Sequence, residues 1–521
     1  MARGYRKHQA FTVSSEKALQ SVLQRVQRVL EGRTLAPVTE HRHYLDTFDW
    51  RIHRAGGALS QSPEQGTASL HWSSNGHEPL SAESRRPPEF ASDLPAGRLR
   101  EELEPIVAPR RLLSIADLVR TSQTVELLDV EGKIVCRVTA STSELDGVHI
   151  GPPSYKIILE GVRGYEDEFQ TLDRFLRYQL QLPLSNTQEI EDVFARLDRS
   201  AGKDPSALDI ELSKRLTAGG AVRLVLATLC DVLLVNRGGV LDRLDIEFLH
   251  DFRVAVRRTR SVLSQMGDVL PATVVKHYGR EFRWLGALTG PARDLDVFLE
   301  NLPGYRSTLP AEDADSLDPL ARLLKRERRK AQGALDKGLK SDRFEKLVSN
   351  WRNFLLEPPQ AESNSPALAD VPVRQLSRRR TWKRYRKVRD GGRRIDRSTS
   401  GEELHALRIQ CKKLRYMLEV FRSLHPADEI TPCIKELKRI QNTLGEFNDA
   451  LVHAGMLRSF ATHVGGDDAA RTSVAIGILV SDLTRRAEEQ RLRFFERFAR
   501  FDSESNGKLF KKLLKAGGTR S

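Results

Sequence analysis

The sequence predicts two fold classes in one chain: an N-terminal α+β domain on antiparallel strands, then an all-α domain of two helical bundles. Three observations predict this. Up to about residue 200, short alternating runs separated by Gly- and Pro-rich turns read as strands with helical interludes. From about residue 205, helical periodicity runs almost unbroken to the end. Within that second part, one eleven-residue pattern occurs twice, 155 residues apart.

In the first part, FTVSS is a short strand and EKALQSVLQRVQRVLEG a helix. HRHYLDTFDWRIHRAGGAL mixes aromatic and β-branched residues around Gly56 and Gly57. GHEPLSAESRRPPEFASDLPAG is rich in Pro, Ser and Gly and reads as a loop. TVELLDVEGKIVCRVTAS is a hairpin turning at Asp129–Gly132. YKIILEGV is a further strand, and EDEFQTLDRFLRYQL a helix.

In the second part, helix breaks are expected at NRGG, at Pro271, at Gly290–Pro291, around Pro303–Pro319, and in the linker 357–372. RRRTWKRYRK, residues 378–387, reads as a basic helix with Trp382 and Tyr385 packed inward. The C-terminal GKLFKKLLKAGGTRS reads as a short basic amphipathic helix.

The repeated pattern carries the functional argument. HDFRVAVRRTR, residues 250–260, holds four arginines, one histidine and one carboxylate. At about 100° per residue, His250, Arg253, Arg257 and Arg260 share one arc of roughly 80°. Phe252, Ala255, Val256, Val262 and Leu263 gather opposite. A solvated helix face mixes signs, because like charges one turn apart repel. This face has no acid. The second copy is HALRIQCKKLR, residues 405–415: His250 maps to His405, Arg253 to Arg408, Arg257 to Lys412, Arg258 to Lys413 and Arg260 to Arg415. Gly290 and Asp294 map to Gly445 and Asp449 at the same offset. A duplicated helical unit follows, its two cationic helices expected about a pseudo-twofold axis. Asp294 and Asp449 are expected as caps or as salt bridges to the basic helices.

Charge points the same way. The net charge is +14, but residues 1–200 hold 25 Lys+Arg against 28 Asp+Glu, and the remainder holds 59 against 42. A polyanion partner is expected for the second part: inorganic polyphosphate, nucleic acid or a membrane surface. Charged residues make up 30%, and no membrane span or signal peptide is expected. The four cysteines form no CxxC and suggest buried thiols in a reducing cytoplasm, so a zinc site is not expected.

These residues resemble two families. H-x-x-R-V-x-x-R-R-x-R at His250, its copy at His405, and the LTGPARDLD and LGEFNDA segments resemble a CHAD domain over roughly 206–505. That resemblance implies two pseudo-symmetric helical bundles, roughly 206–356 and 373–505, with a basic surface that binds inorganic polyphosphate. A basic tail, 506–521, follows. Residues 1–203 resemble a CYTH domain, through HYLDTFDWRIHRAGGAL, the hairpin and YKIILEGVRGYEDEFQTLDRFL. This implies an antiparallel, tunnel-like β-barrel that holds triphosphate and Mg²⁺. The chain departs from that family where the chemistry lives. Its first strand reads YRKHQAF in place of ExExK, Gln61 and His71 stand where arginine and lysine are expected, and of the late-strand glutamates only Glu160 remains. Arg120 fits a family arginine, while Gln123 stands where a second is expected. Mg²⁺ needs carboxylate oxygens, and metal-assisted phosphoryl transfer needs the ion.

The expectation is therefore a cytoplasmic polyphosphate-binding protein, met on polyphosphate granules, with a non-catalytic tunnel domain. The binding residues expected are His250, Arg253, Arg257, Arg258, Arg260, His405, Arg408, Lys412, Lys413 and Arg415. Each histidine is expected to donate to a phosphate oxygen or to act as a further cation. No catalytic or metal-ligating residues are assigned, with Glu160 alone left as a candidate metal ligand. Two alternatives stand beside this. One is a metal-dependent triphosphate or polyphosphate hydrolase working through Glu160 or Asp46. The other is a nucleic-acid binder, with the aromatics of 378–387 stacking on bases.

Overall fold

The structure, a computed structural model, describes residues 8–515 apart from 29–30, 65–66, 75–78, 147–152, 186–190, 193–201, 358–365 and 464–468. Much of the linker read at 357–372 and the last six residues of the tail lie outside the described residues. The chain divides into two units, Met1–Pro205 and Ser206–Ser521.

The first unit is one antiparallel sheet with helices on its outer face. Its strands are β1 (His8–Val13), β2 (Gly32–Thr34), β3 (Val38–Asp46), β4 (Gly57–Glu64), β5 (Thr67–Ser74), β6 (Leu80–Ser84), β7 (Leu113–Leu128), β8 (Ile134–Leu145) and β9 (Ser154–Gly161). They run in the order β1-β9-β8-β7-β3-β4-β5-β6, with β2 pairing β7 beyond the end of β3. The ladder is an open path whose ends are β1 and β6. β6 lies inside the segment read as a loop: alternation in LSAES pairs it with β5 despite the flanking prolines. The β7–β8 turn falls at Asp129–Gly132 as expected, with Gly132 at φ +78°, a conformation glycine adopts without a Cβ clash. α1 (Glu16–Val26), capped by Ser15, and α4 (Glu166–Arg174) close one apolar core on β7, β8 and β9. α2 (Arg51–Arg54) and α3 (Arg98–Val107) close a second on β4 and β5.

The second unit is all helix. Its elements repeat at the sequence offset. α5 (Ala218–Leu241) corresponds to α10 (Val373–Gly392), and α6 (Ile246–Met266) to α11 (Gly401–Val420). α7 (Ala272–Arg306) corresponds to α12 (Ala427–Ala461). All three pairs start 155 residues apart, so the duplication read from the basic motif extends to whole helices. α8 (Asp318–Leu339), α9 (Asp342–Leu356), α13 (Ala469–Phe501) and α14 (Glu504–Lys515) complete the unit.

Several expectations change here. Gly290–Pro291 does not break the chain: α7 runs through it, as α12 runs through Gly445. α5 continues through Gly238–Gly239, because Phe248 packs where a Cβ on Gly239 would sit, 2.3 Å away. α5 is also long and apolar enough to cross a membrane by length and composition, which the sequence reading missed. Thirteen of its residues, among them Val222, Val225, Leu229 and Leu233, are buried in the bundle, which makes it a core helix here. α14 covers most of the segment read as a basic tail. Its Phe510, Leu513 and Leu514 are buried in the core, and Phe510 stacks on Tyr385 at 4.1 Å. Tyr385 therefore points inward, as expected of the basic run on α10.

Candidate functional site

In the first unit, the HYLDTFDWR motif has a structural task. Asp46 is 1% exposed and accepts from the backbone N–H groups of Thr47, Ile52 and His53 at 2.6, 2.9 and 2.9 Å. It thereby caps α2. Burial raises its pKa above the ordinary carboxylate value despite those donors. Asp49 accepts from Arg51 at 2.9 Å and lies 3.4 Å from the buried Arg110. Burial opposes the Asp49 charge, but Arg110, Arg51 and Thr47 outweigh it and lower its pKa. Gly57 lets the indole of Trp72 approach, which a Cβ would meet at 2.1 Å.

The inner face of the sheet surrounds a cavity of about 430 Å³, lined from β1 and from β3 through β9. Its charged lining is Arg42, Arg120 and Lys156, with His8 and His71. Arg42 lies 2.8 Å and Arg120 3.7 Å from Glu40, and Lys156 lies 2.7 Å from Asp192. The Mg²⁺ that the CYTH resemblance implies does not fit these residues. Among the described residues, no carboxylate lines the cavity, and no three His, Cys, Asp or Glu side chains group to hold a metal. Glu160 sits in register with His8 and Arg137, not with other carboxylates.

The basic helices of the second unit are built as their spacing predicts. Asp245 caps α6, accepting from Glu247 and Phe248 at 2.8 and 3.2 Å. Ser400 and Glu403 form a capping box on α11. Phe252, Ala255, Val256, Val262 and Leu263 are all buried, which turns the opposite arc of α6 outward. The two copies meet at one pocket of about 570 Å³. Arg257 and Arg260 come from α6, Arg283 from α7, and His405, Arg408, Lys412 and Lys413 from α11. No carboxylate lines it among the described residues. Among the described residues, Arg257, Arg260, Arg283, Lys412 and Lys413 make no ion pair, while Arg408 lies 3.4 Å from Asp449.

Burial and neighbouring cations disfavour the charged lysines of this pocket. Burial first, then Arg408 and Arg257, lower the Lys412 pKa to about 7, against the pull of Asp449. Burial and the neighbouring Arg384 and Lys387 lower that of Lys413. The Arg257 guanidinium stands 5.8 Å over the ring of Tyr416, whose hydroxyl is buried without a hydrogen-bond partner among the described residues. The Nε atoms of Arg257 and Arg408 also lack partners.

Not every expected residue faces this pocket. Arg258 and Arg415, expected among the binding residues, instead flank Glu419, each at 3.2 Å. Arg253 lies 3.9 Å from Asp294, outside the pocket lining. The salt bridges of Asp294 and Asp449 thus match the sequence reading. His250 does not reach the pocket. Burial lowers its pKa and Arg293 and Arg257 add to that, against Glu247 and Asp251, which disfavours the cationic role expected for it. His405 is exposed in the lining and donates from Nδ1 to Asn448 Oδ1. Gly286 and Gly290 leave room for Arg260 and Arg253, whose Nη1 atoms would lie 3.0 and 3.2 Å from an added Cβ. Arg283 and Tyr416 were missed by the motif. The offset carries a signal for both: Arg283 maps to Lys438, and Tyr416 maps to Ser261, which also lines the pocket.

A cationic pocket shared by two helical repeats can be set against known proteins. Residues 224–458 match the CHAD domain. The second unit therefore carries a CHAD domain, and the duplicated basic helices lie within it. Two uncharacterized proteins from strains of Mycobacterium tuberculosis are 26% identical over 255 residues, which is 46% of this chain and 46% of each relative. The match thus spans about half the length of the curated relatives. The crystal structure of the CHAD domain from Ricinus communis is similar at 26% identity and a TM-score of 0.47, covering 56% of this chain and 94% of that one. A Hippeastrum protein, whose structure is described as revealing a dominant triphosphatase activity, is similar at 16% identity and a TM-score of 0.27. That likeness covers 36% of this chain and 94% of the other.

Proposed function

We propose that the CHAD domain of this chain binds inorganic polyphosphate in the pocket between α6, α7 and α11. One observation carries the reading: six Arg and Lys side chains line one pocket with no carboxylate beside them in the lining, and five of the six make no ion pair, among the described residues. Burying like charges together costs free energy unless an anion joins them. A phosphoryl chain supplies charge and acceptor oxygens all along its length, so cations one helical turn apart, about 5.4 Å, each meet one. Arg257, Arg260, Arg283 and Arg408 offer forked donors, and Lys412 and Lys413 act as point charges.

Nucleic acid is less well served. Base stacking needs an open aromatic face, whereas Tyr416 is 3% exposed and Tyr385 is 1% exposed. The test is a titration of the full chain with defined-length polyphosphate, with single-stranded RNA as competitor at equal phosphate concentration. Polyphosphate binding that RNA fails to displace supports the reading. Displacement by RNA at equal phosphate favours a nucleic-acid interface.

A further inference from the structure

The duplication gives the pocket's cations a second, matching set. Each cation around the open pocket has a counterpart 155 positions away: Arg260 in Arg415, Arg283 in Lys438, Arg408 in Arg253 and Lys413 in Arg258. Arg257 and Lys412 are each other's counterparts, so that pair belongs to both sets. Among the lining residues, one position breaks the equivalence in charge. Ser264, in the wall of the open pocket, has Glu419 as its counterpart.

Glu419 lies among the second set of cations. Its Oε2 is 3.2 Å from Arg258 Nη2, and its Oε1 is 3.2 Å from Arg415 Nε. All three side chains are less than a quarter exposed. A carboxylate held there does two things that the Ser264 hydroxyl does not. It neutralises cations that an anion would otherwise meet, and it repels that anion across a poorly solvated distance. Lys438, by contrast, is exposed and makes no ion pair among the described residues.

We propose that Glu419 acts as an internal anion that shuts the second of two pseudo-equivalent pockets and confines a phosphoryl ligand to the Ser264 side. The inference rests on the polyanion reading of the open pocket. It makes Glu419 a residue that sets how much of a chain the domain grips. With Glu419 in place, a polyphosphate meets the open pocket and finds a neutralised surface beyond the Arg257–Lys412 pair. Without it, the same chain would run on over Arg258 and Arg415.

The experiment uses the full chain, inorganic tripolyphosphate and a polyphosphate of several tens of phosphates, measured by titration calorimetry. Wild type is expected to bind both. Glu419→Ser is expected to bind the long chain at least tenfold more tightly and tripolyphosphate within twofold of wild type. Adding Arg415→Ala to Glu419→Ser is expected to remove the gain, which a merely structural Glu419 would not predict. If Glu419→Ser does not fold, Glu419→Gln removes the charge at nearly constant shape and is expected to shift long-chain affinity in the same direction. Long-chain affinity unchanged or weakened in a folded Glu419 variant overturns the inference while leaving the open pocket intact. Wild type binding neither anion overturns the reading on which it rests.

Discussion

Arg408 Nη2 lies 3.4 Å from Asp449 Oδ1, while the equivalent Arg253 lies 3.9 Å from Asp294. The duplicated arginines are thus tethered to the helix that follows each basic helix. The tethers are weak, because Asp449 is 58% and Asp294 61% exposed, and solvent screens them. Asp449→Ala is expected to change polyphosphate affinity by less than about threefold, whereas Arg408→Ala is expected to lower it by about tenfold or more. Calorimetric titration of both variants separates a positioning contact from a ligand contact.

Lys412 predicts a pH dependence. Its pKa in the empty pocket is about 7, below the usual 10.5, through burial and through Arg408 and Arg257, with Arg415 adding and Asp449 opposing. A bound polyanion stabilises the ammonium and raises that pKa, so binding takes up a proton above about pH 7. Affinity is expected to fall as pH rises from 6 to 9, and Lys412→Met is expected to flatten that part of the profile. Proton uptake is read from calorimetry in buffers of different ionisation enthalpy. Folding has the opposite sign. Between about pH 7 and 10.5 the unfolded chain holds this proton and the empty folded one does not, so this group makes the empty protein more stable as pH rises.

Asp46 predicts a purely structural effect. It accepts three backbone N–H groups at a 1% exposed position, and removing it leaves buried donors unpaired. Asp46→Ala is expected to cost about 2–4 kcal/mol of stability in the first unit. Chemical denaturation should show the loss, and polyphosphate affinity should stay within twofold of wild type.

Among the described residues, the cavity of the first unit is lined by cations and by no carboxylate, a lining that does not fit Mg²⁺. Incubation of the full chain with tripolyphosphate and Mg²⁺ or Mn²⁺ is expected to release no phosphate above the protein-free rate. Metal-dependent release that Glu160→Ala abolishes would contradict this.

Much of the second unit was legible because it is written twice. His250 and His405, Arg253 and Arg408, and Arg257 and Lys412 share one offset, and that offset returns in the starts of α6 and α11 and of α7 and α12. The first unit's hairpin and strands were legible from alternation and from the turn at Gly132. What stayed hidden depends on tertiary contact. Gly290 reads as a break, but in α7 it makes room for the Arg253 side chain. Glu419 sits four residues after Arg415 and pairs with it locally, yet only the fold brings Arg258 to the same carboxylate. A basic helix can meet a carboxylate from the other copy, and for Arg258 it does. The helical wheel sorted apolar from cationic residues correctly. It could not tell which cations point into the pocket.

The most direct test of the central claim is polyphosphate binding by the full chain carrying Arg257→Glu and Arg408→Glu, measured beside wild type across a salt series. Wild type is expected to bind tightly, with an affinity that weakens steeply with salt, and the double variant to lose at least about a hundredfold at low salt. Binding by the folded double variant at wild-type affinity, with the same salt dependence, would contradict the claim.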